Sequence, residues 1–410
     1  MTRPRLHRLA NGLTVAVAPM AGVETMALGL YVDVGGRDEP ADRAGLAHMV
    51  EHMVFKGAGG RSAREIAEAI EDVGGALNAY TARDHTVFHA RLLPGDLALG
   101  VELIADLVRA PDFAADELVR EKAVVLSELG ESRDTPDDIV MDHLQSTAYP
   151  DQPFGRPILG DEASIDAITA ADLGGWIAGR YRPEGMVIAA AGKLDEDRLL
   201  ALVEARFGDL APGRPPPPAA AQFLPGRHHD VRRFDQLHLA FGYPGVAVDH
   251  PDHHALSLYA GAVGGGMSSR LFQELREQHG LAYSVYAWNA AYADAGSLGV
   301  YLATARRDGV RALKLARDVL ARTASEIDEP ELARARAQAR AGLLMGLESV
   351  QARCDHLARN IQIYGRIVSP KETVAAIDAV TVAQLRDAAQ TALAGGEALA
   401  SVGGRLAKAA

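Results

Sequence analysis

The stretch "GLAHMVEHMVFKG", from Gly45 to Gly57, decides how the rest of the chain is read. On a helix, His48 and His52 lie one turn apart on one face, and Glu51 flanks that face. Leu46, Val50, Met53 and Val54 can then face a core. Asp42 and the small residues after it offer a helix start, and Gly57 offers a C-terminal end. Two imidazoles at this spacing can bind one zinc ion. The glutamate between them can act as general base on a water. The order H-x-x-E-H is the inverted form of the zinc-protease helix. The same residues also fit an ordinary amphipathic helix whose histidines solvate a polar face.

A catalytic zinc needs a third protein ligand, and "ELVREKAVVLSELGESRD" (Glu117–Asp134) offers one. Glu117, Glu121 and Glu128 share one helical face, with Val124, Val125 and Leu129 forming an apolar surface. In this reading Glu128 is the ligand, and Glu121 orients a histidine from behind. Glutamates so spaced are also common as solvated surface charges.

The 410 residues suffice for two or three domains. A net charge of −12, from 42 basic and 54 acidic residues, argues against nucleic acid as a partner. The single cysteine, Cys354, excludes intrachain disulfides and thiolate metal clusters, and reads as a small helix residue. No signal-like segment and no long apolar run appears, so the expectation is a cytoplasmic protein without a membrane span.

Four consecutive prolines, Pro215–Pro218, lie inside "APGRPPPPAAAQFLPGR" and predict a stiff linker over 211–227. The flanking halves, 1–210 and 228–410, look related. "SIDAITAADL" (from Ser164) and "AIDAVTVAQL" (from Ala376) match half a chain apart. Thr169 reads as an N-cap with an acid in the first turn, and Thr381 with Gln384 has capping-box spacing. Each half also runs from two strands into a helix: "LNAYTARDHTVFHARLL" before "PGDLALGVELIADLV", and "AYSVYAWNAAYADAGSLGVYLAT" before "RRDGVRALKLARDVLA". The fold class is α+β, with two related domains of strands and helices.

These residues resemble the pitrilysin, insulin-degrading enzyme and mitochondrial processing peptidase family. The motif His48–His52 followed by Glu128 carries the resemblance. "GGALNAYTARDHTVF", "REKAVVLSELGESRDTPDD", "PFGRPILG" and "YRPEGMVIAAAG" extend it in the same order over nearly the whole chain. The resemblance implies a mostly antiparallel sheet packed with helices in each domain. It implies His48, His52 and Glu128 as ligands of one Zn2+ per subunit, Glu51 as the base, and Glu121 in support. It also implies that "LNAYT" is an exposed edge strand to which a peptide substrate adds, with Asn78 and Ala79 at the contact.

The second half lacks the metal motif, and Arg340 stands where a shifted Glu128 would fall. His279 reads as a loop residue. The glycine run Gly264–Gly266 lacks the phosphate-loop lysine pattern, so nucleotide binding is a weak alternative. On residues alone Arg276 is a helix-surface arginine and Tyr283 a half-buried strand tyrosine. The resemblance instead implies that both serve catalysis, with Tyr283 on the oxyanion and Arg276 on substrate carbonyls. It further implies a clamshell of two subunits enclosing a chamber. Because this chain carries both residue sets, the expectation is a homodimeric zinc endopeptidase. A heterodimer with a related subunit, and a non-catalytic scaffold subunit, are the alternatives.

Overall fold

The computed structural model describes residues 3–404 and Leu406. The chain forms two compact units. The first comprises residues 1–129, 156–219 and 345–368, and the second comprises 130–155, 220–344 and 369–410. The proline-rich segment separates two sheets, but the units are not simply the two halves of the chain, because each takes one helix from the other half. The linker is also shorter than the sequence implies. A strand begins at Gly226, inside the predicted 211–227 span, because it pairs in parallel with Ala398–Val402.

The sheet of the first unit has six strands: β1 (Arg5–Arg8), β2 (Thr14–Pro19), β3 (Met26–Val32), β4 (Ala76–Thr81), β5 (Thr86–Leu92) and β6 (Met186–Gly192). Their order is β1-β2-β6-β3-β5-β4, and only β2 and β6 run parallel. Every residue of the central strand β3, "MALGLYV", is buried, because both faces of the sheet are covered. β4 lies at the sheet edge and alternates between exposed and more buried positions.

One face of this sheet packs Leu28, Leu30, Phe88 and Ile188 against helices that include Leu46–Val54, Leu97–Arg109 and Glu196–Phe207. The opposite face is lined with small residues, Ala16, Ala18, Ala27, Ala189 and Ala191, and is covered by helix Val350–Tyr364. Alanines let that helix sit close. The Cys354 thiol meets the carbonyl oxygen of Ala189 at 3.0 Å, so the lone cysteine is a packing residue. The helix is pinned along one mid-helix turn. The Tyr31 hydroxyl donates to Asp355, and Arg359 donates to Asp84 in the turn between β4 and β5.

The sheet of the second unit has five strands: β7 (Gly226–Asp230), β8 (Leu237–Pro244), β9 (Ala282–Ala291), β10 (Gly296–Thr304) and β11 (Ala398–Val402), in the order β9-β10-β8-β11-β7. It repeats the plan of the first, with one parallel pair in a mostly antiparallel sheet. Helices His253–Gly264, Gly309–Glu326 and Val382–Ala394 cover one face. Helix Pro136–Ala148, from the first half of the sequence, covers the other through Ile139, Val140 and Leu144. Thr169 with Asp172 and Thr381 with Gln384 both form capping boxes, so the first-turn acid of the first copy bonds back to its N-cap as the glutamine of the second does.

Asp84 gives the pinning of helix Val350–Tyr364 a measurable signature. Burial alone would raise its carboxyl. His85 at 2.6 Å and Arg359 at 3.2 Å outweigh burial and hold it at about 2. A carboxyl depressed on folding contributes stability above its unfolded pKa of 3.8 and loses it as pH falls toward 2. Asp84→Asn should therefore cost about 2 kcal/mol at pH 7 and almost nothing near pH 2. Equal denaturant midpoints for the two proteins at pH 7 would contradict this account.

Candidate active site

Helix Leu46–Val54 buries Leu46, Met49, Val50, Met53 and Val54 and turns His48, Glu51 and His52 away from that core. Its start differs from the sequence expectation. Asp42 lies in a separate short turn, Ala41–Arg43, beside Arg43. The N-cap is Gly45 at φ +88°, which has no side chain to cap with. A Cβ there would also lie 2.6 Å from the carbonyl oxygen of Leu159, so glycine is required on both counts. The helix ends at Val54, and Gly57 instead begins a two-residue strand.

Helix Ala115–Asp134 brings the third group. Glu128 Oε2 lies 3.8 Å from His48 Nε2 and 3.5 Å from His52 Nε2. One donor atom from each of the three residues lies within 4.8 Å of the others, the one such convergence found among the described residues. Tetrahedral zinc with bonds of about 2.0–2.2 Å sets its ligand atoms roughly 3.3–3.6 Å apart. Two imidazole nitrogens and a carboxylate, this close to that spacing, fit the ion. Burial first, and then the neighbouring His52, hold His48 down at about 4. Its ring is therefore neutral at neutral pH and can offer a lone pair. The Glu128 side chain is 40% exposed against 13% for His48, so the site opens toward solvent on the Glu128 side.

Behind this set stands Glu121, whose Oε2 lies 3.0 Å from His52 Nδ1. With Nδ1 donating there, Nε2 faces the convergence point with its lone pair. Burial would raise the Glu121 carboxyl, but hydrogen bonds from Lys56 and His52 outweigh it and keep it below the ordinary range. Lys56 Nζ reaches Glu121 Oε1 at 2.6 Å. Lys56 has no signal in the helical spacing, because it lies four residues after His52 but beyond the helix end at Val54. Val124 differs from the expected apolar surface: it is 43% exposed, while Val125 and Leu129 are buried. Glu117 pairs with Arg120 at the surface and takes no part in the site.

Glu51 Oε2 accepts a hydrogen bond of 2.7 Å from the Thr81 hydroxyl at the end of β4. Burial raises the Glu51 carboxyl, and Thr81 and His52 pull it back. Thr81, the last residue of the "LNAYT" stretch, thus joins the sheet edge to the site. Leu77 and Ala79 share its face and pack toward the core, while Asn78 and Tyr80 point to the opposite face. Asn78 Oδ1 accepts from the Ala79 N–H at 2.9 Å.

In the second unit, Arg276 lies on the segment Phe272–Gln278, which is wound as a π-helix. Its guanidinium stands 4.7 Å from the Phe272 ring and 4.8 Å from the Tyr283 ring. Tyr283 is the extra residue of a bulge in β9, between Ala282 and Ser284, and is 76% exposed. The two are thus partners on one surface, rather than an isolated helix arginine and a half-buried strand tyrosine. His279 caps the same π-helix segment.

Residues 14–162 match the family described as insulinase (peptidase family M16), and residues 167–339 match the peptidase M16 inactive domain. An uncharacterized zinc protease of Mycobacterium tuberculosis is 40% identical, over 94% of this chain and 90% of its own length. A peptidase M16 inactive domain from Pseudomonas fluorescens has the same fold, with a TM-score of 0.91 at 24% identity, covering 100% of this chain and 99% of its own. A protease from Helicobacter pylori shares the fold at a TM-score of 0.90 and 22% identity, covering 98% of this chain and 100% of its own. No helix among the described residues is long and apolar enough to cross a membrane.

The geometry predicts that metal-free protein takes up one Zn2+ per chain, and that His48→Ala abolishes this. Glu121→Gln should weaken binding by about 10- to 100-fold while leaving the stoichiometry intact. Competition against a chromophoric chelator measures both, and uptake by His48→Ala at wild-type affinity would locate the ion elsewhere.

Proposed function

Because the chain belongs to peptidase family M16, the pitrilysin-type metallopeptidases, we propose that it is a zinc-dependent endopeptidase acting on unfolded peptide segments. The observation that carries this reading is the meeting of three elements at one point. Two imidazole nitrogens and the Glu128 carboxylate converge, and the Glu51 carboxylate beside them is hydrogen-bonded to the edge strand.

His48, His52 and Glu128 would hold the ion, and Glu121 with Lys56 keeps His52 oriented toward it. A bound zinc ion supplies a Lewis acid for the scissile carbonyl and for the attacking water. Glu51 accepts the proton of that water and returns it to the departing amine. Its raised pKa brings the carboxyl closer to neutrality, which suits a group that must both take and give a proton. Thr81 holds one Glu51 oxygen in place, leaving the other for the proton transfer.

The substrate backbone pairs with β4 as an added strand, with Asn78 and Ala79 at the contact. Main-chain pairing of this kind selects extended segments over folded ones, whatever their sequence. Thr81 then does two things at once. It ends the strand that aligns the peptide and fixes the base that acts on it.

In this reading the protein works as a homodimer around a chamber, and Arg276 and Tyr283 of the second copy complete each site. Tyr283 donates to the oxyanion, and Arg276, in cation–π contact with the Phe272 and Tyr283 rings, presents charge to substrate carbonyls. Possession of both residue sets in one chain favours this over a scaffold subunit or a half-enzyme needing a different partner.

Glu51→Gln should retain zinc but lose about 10²- to 10⁴-fold in kcat on unfolded peptide substrates. Cleavage by that variant at the wild-type rate would rule out Glu51 as the base. Subunit mixing tests the assembly. Glu51→Gln and Tyr283→Phe proteins, each impaired alone, should recover activity when mixed, because a mixed dimer contains one intact site. Lack of recovery despite demonstrated subunit exchange would refute sharing between copies.

A further inference from the structure

Arg37, Asp38 and Glu39 are three consecutive charged residues, all buried, at 3%, 7% and 4% exposure. None takes part in the chemistry proposed above. Arg37 donates to the carbonyl of Ala219, and Arg180 donates to the carbonyl of Asp38. Asp38 Oδ2 accepts from its own local backbone, the Gly35 N–H. Glu39 reaches the histidine helix. Its Oε2 accepts the Gly45 N–H at 2.8 Å, and its Oε1 accepts the Ala47 N–H at 2.7 Å. Those amides belong to the first turn, where the helix has no carbonyls of its own to offer them. Arg156 donates to the carbonyl of Glu39, and Arg83 donates to that of Arg156, so the Glu39 backbone is itself anchored.

We propose that Glu39 is a positioning residue for the metal site, a remote cap that fixes the axial position and rotation of helix Leu46–Val54. The proposal rests on the reading of His48, His52 and Glu128 as the zinc ligands. Two acceptors on one rigid planar group, bound to amides two residues apart, define both coordinates of the first turn. His48 is the third residue of the helix and moves with that turn. A short Ser or Asp side chain at the N-cap would ordinarily supply such bonds. Position 45 must be glycine, so the cap comes from a longer side chain six residues earlier. Burial pushes the Glu39 carboxyl up to about 8, against the pull of the two amides. A carboxyl retains acceptor capacity on both sides of that pH, whereas a glutamine must turn an NH2 group toward one of the two N–H donors.

The test is Glu39→Gln, read by Zn2+ affinity of the metal-free protein well below its melting temperature. A matched control is Leu199→Ala, a cavity in the same core on helix Glu196–Phe207. Glu39→Gln should weaken Zn2+ about tenfold and lower kcat more than it raises KM. Leu199→Ala should lower the melting temperature but leave Zn2+ affinity within about twofold. Equal Zn2+ affinity in Glu39→Gln and wild type, or an equal loss in both variants, overturns the proposal. Amide exchange on the wild-type protein decides the matter if Glu39→Gln does not fold. Gly45 and Ala47 should be protected like mid-helix amides, and exchange at loop rates overturns the cap. A wild-type protein that binds Zn2+ and cleaves peptides while these tests fail would remove only the role of Glu39. A wild-type protein that binds no Zn2+ at the motif would remove the functional reading and this proposal with it.

Discussion

A nine-residue helix carries His48, Glu51 and His52, and it is too short to be stable alone. Everything at the site depends on how that helix is held. Its apolar face, through Leu46, Met49, Val50, Met53 and Val54, fixes it against the first sheet and its neighbours. Apolar burial is strong but non-directional, so it leaves sliding and rotation poorly defined. Directional bonds remove that freedom. The Glu39 carboxyl takes two amides at one end, Glu121 takes His52 at the other, and Thr81 takes Glu51 between them.

Each of these polar anchors is withdrawn from water, and each is balanced differently. Glu121 has the Lys56 ammonium beside it, so the carboxylate stays ionised and the imidazole keeps one tautomer. Removing one partner of such a buried pair costs far more than the pair contributes over an apolar substitute. The arrangement therefore reads as geometry maintained at some cost in stability. Burial pushes the Glu51 carboxyl the other way, against the pull of Thr81 and His52. Two glutamates that both interact with His52 thus acquire opposite tendencies from their surroundings alone.

Much of the site was legible because helical spacing places residues on faces without any tertiary knowledge. His48, Glu51 and His52 follow from a period of 3.6, and Glu121 and Glu128 from two turns of another helix. The same reasoning failed where a choice depended on what lies outside the helix. Val124 is as apolar as Val125, and only the packing of the helix decides that one is exposed and the other buried. Asp42 looked like a cap because aspartate often is one, but the left-handed Gly45 intervenes and Glu39 reaches the amides instead. Lys56, Thr81 and Glu39 act through hydrogen bonds to residues 65, 30 and at most 8 positions away, for which sequence spacing offers no rule.

By itself the sequence determined the order of two strands and a helix within each half, the repeat of one plan across the proline run, and the residue types available for metal chemistry. These are local properties, set by periodicity, capping and the rigidity of proline. Only the tertiary structure decided that each sheet is covered on its second face by a helix from the opposite half of the chain. It likewise decided that Glu128 meets His48 and His52, and that the edge strand ends against Glu51. The reason is physical. A helix or strand pattern fixes which face is apolar, but several elements present apolar faces of similar size. Which of them pair is settled by close packing, such as the alanine-lined sheet that accepts helix Val350–Tyr364, and by buried polar groups that must find their partners.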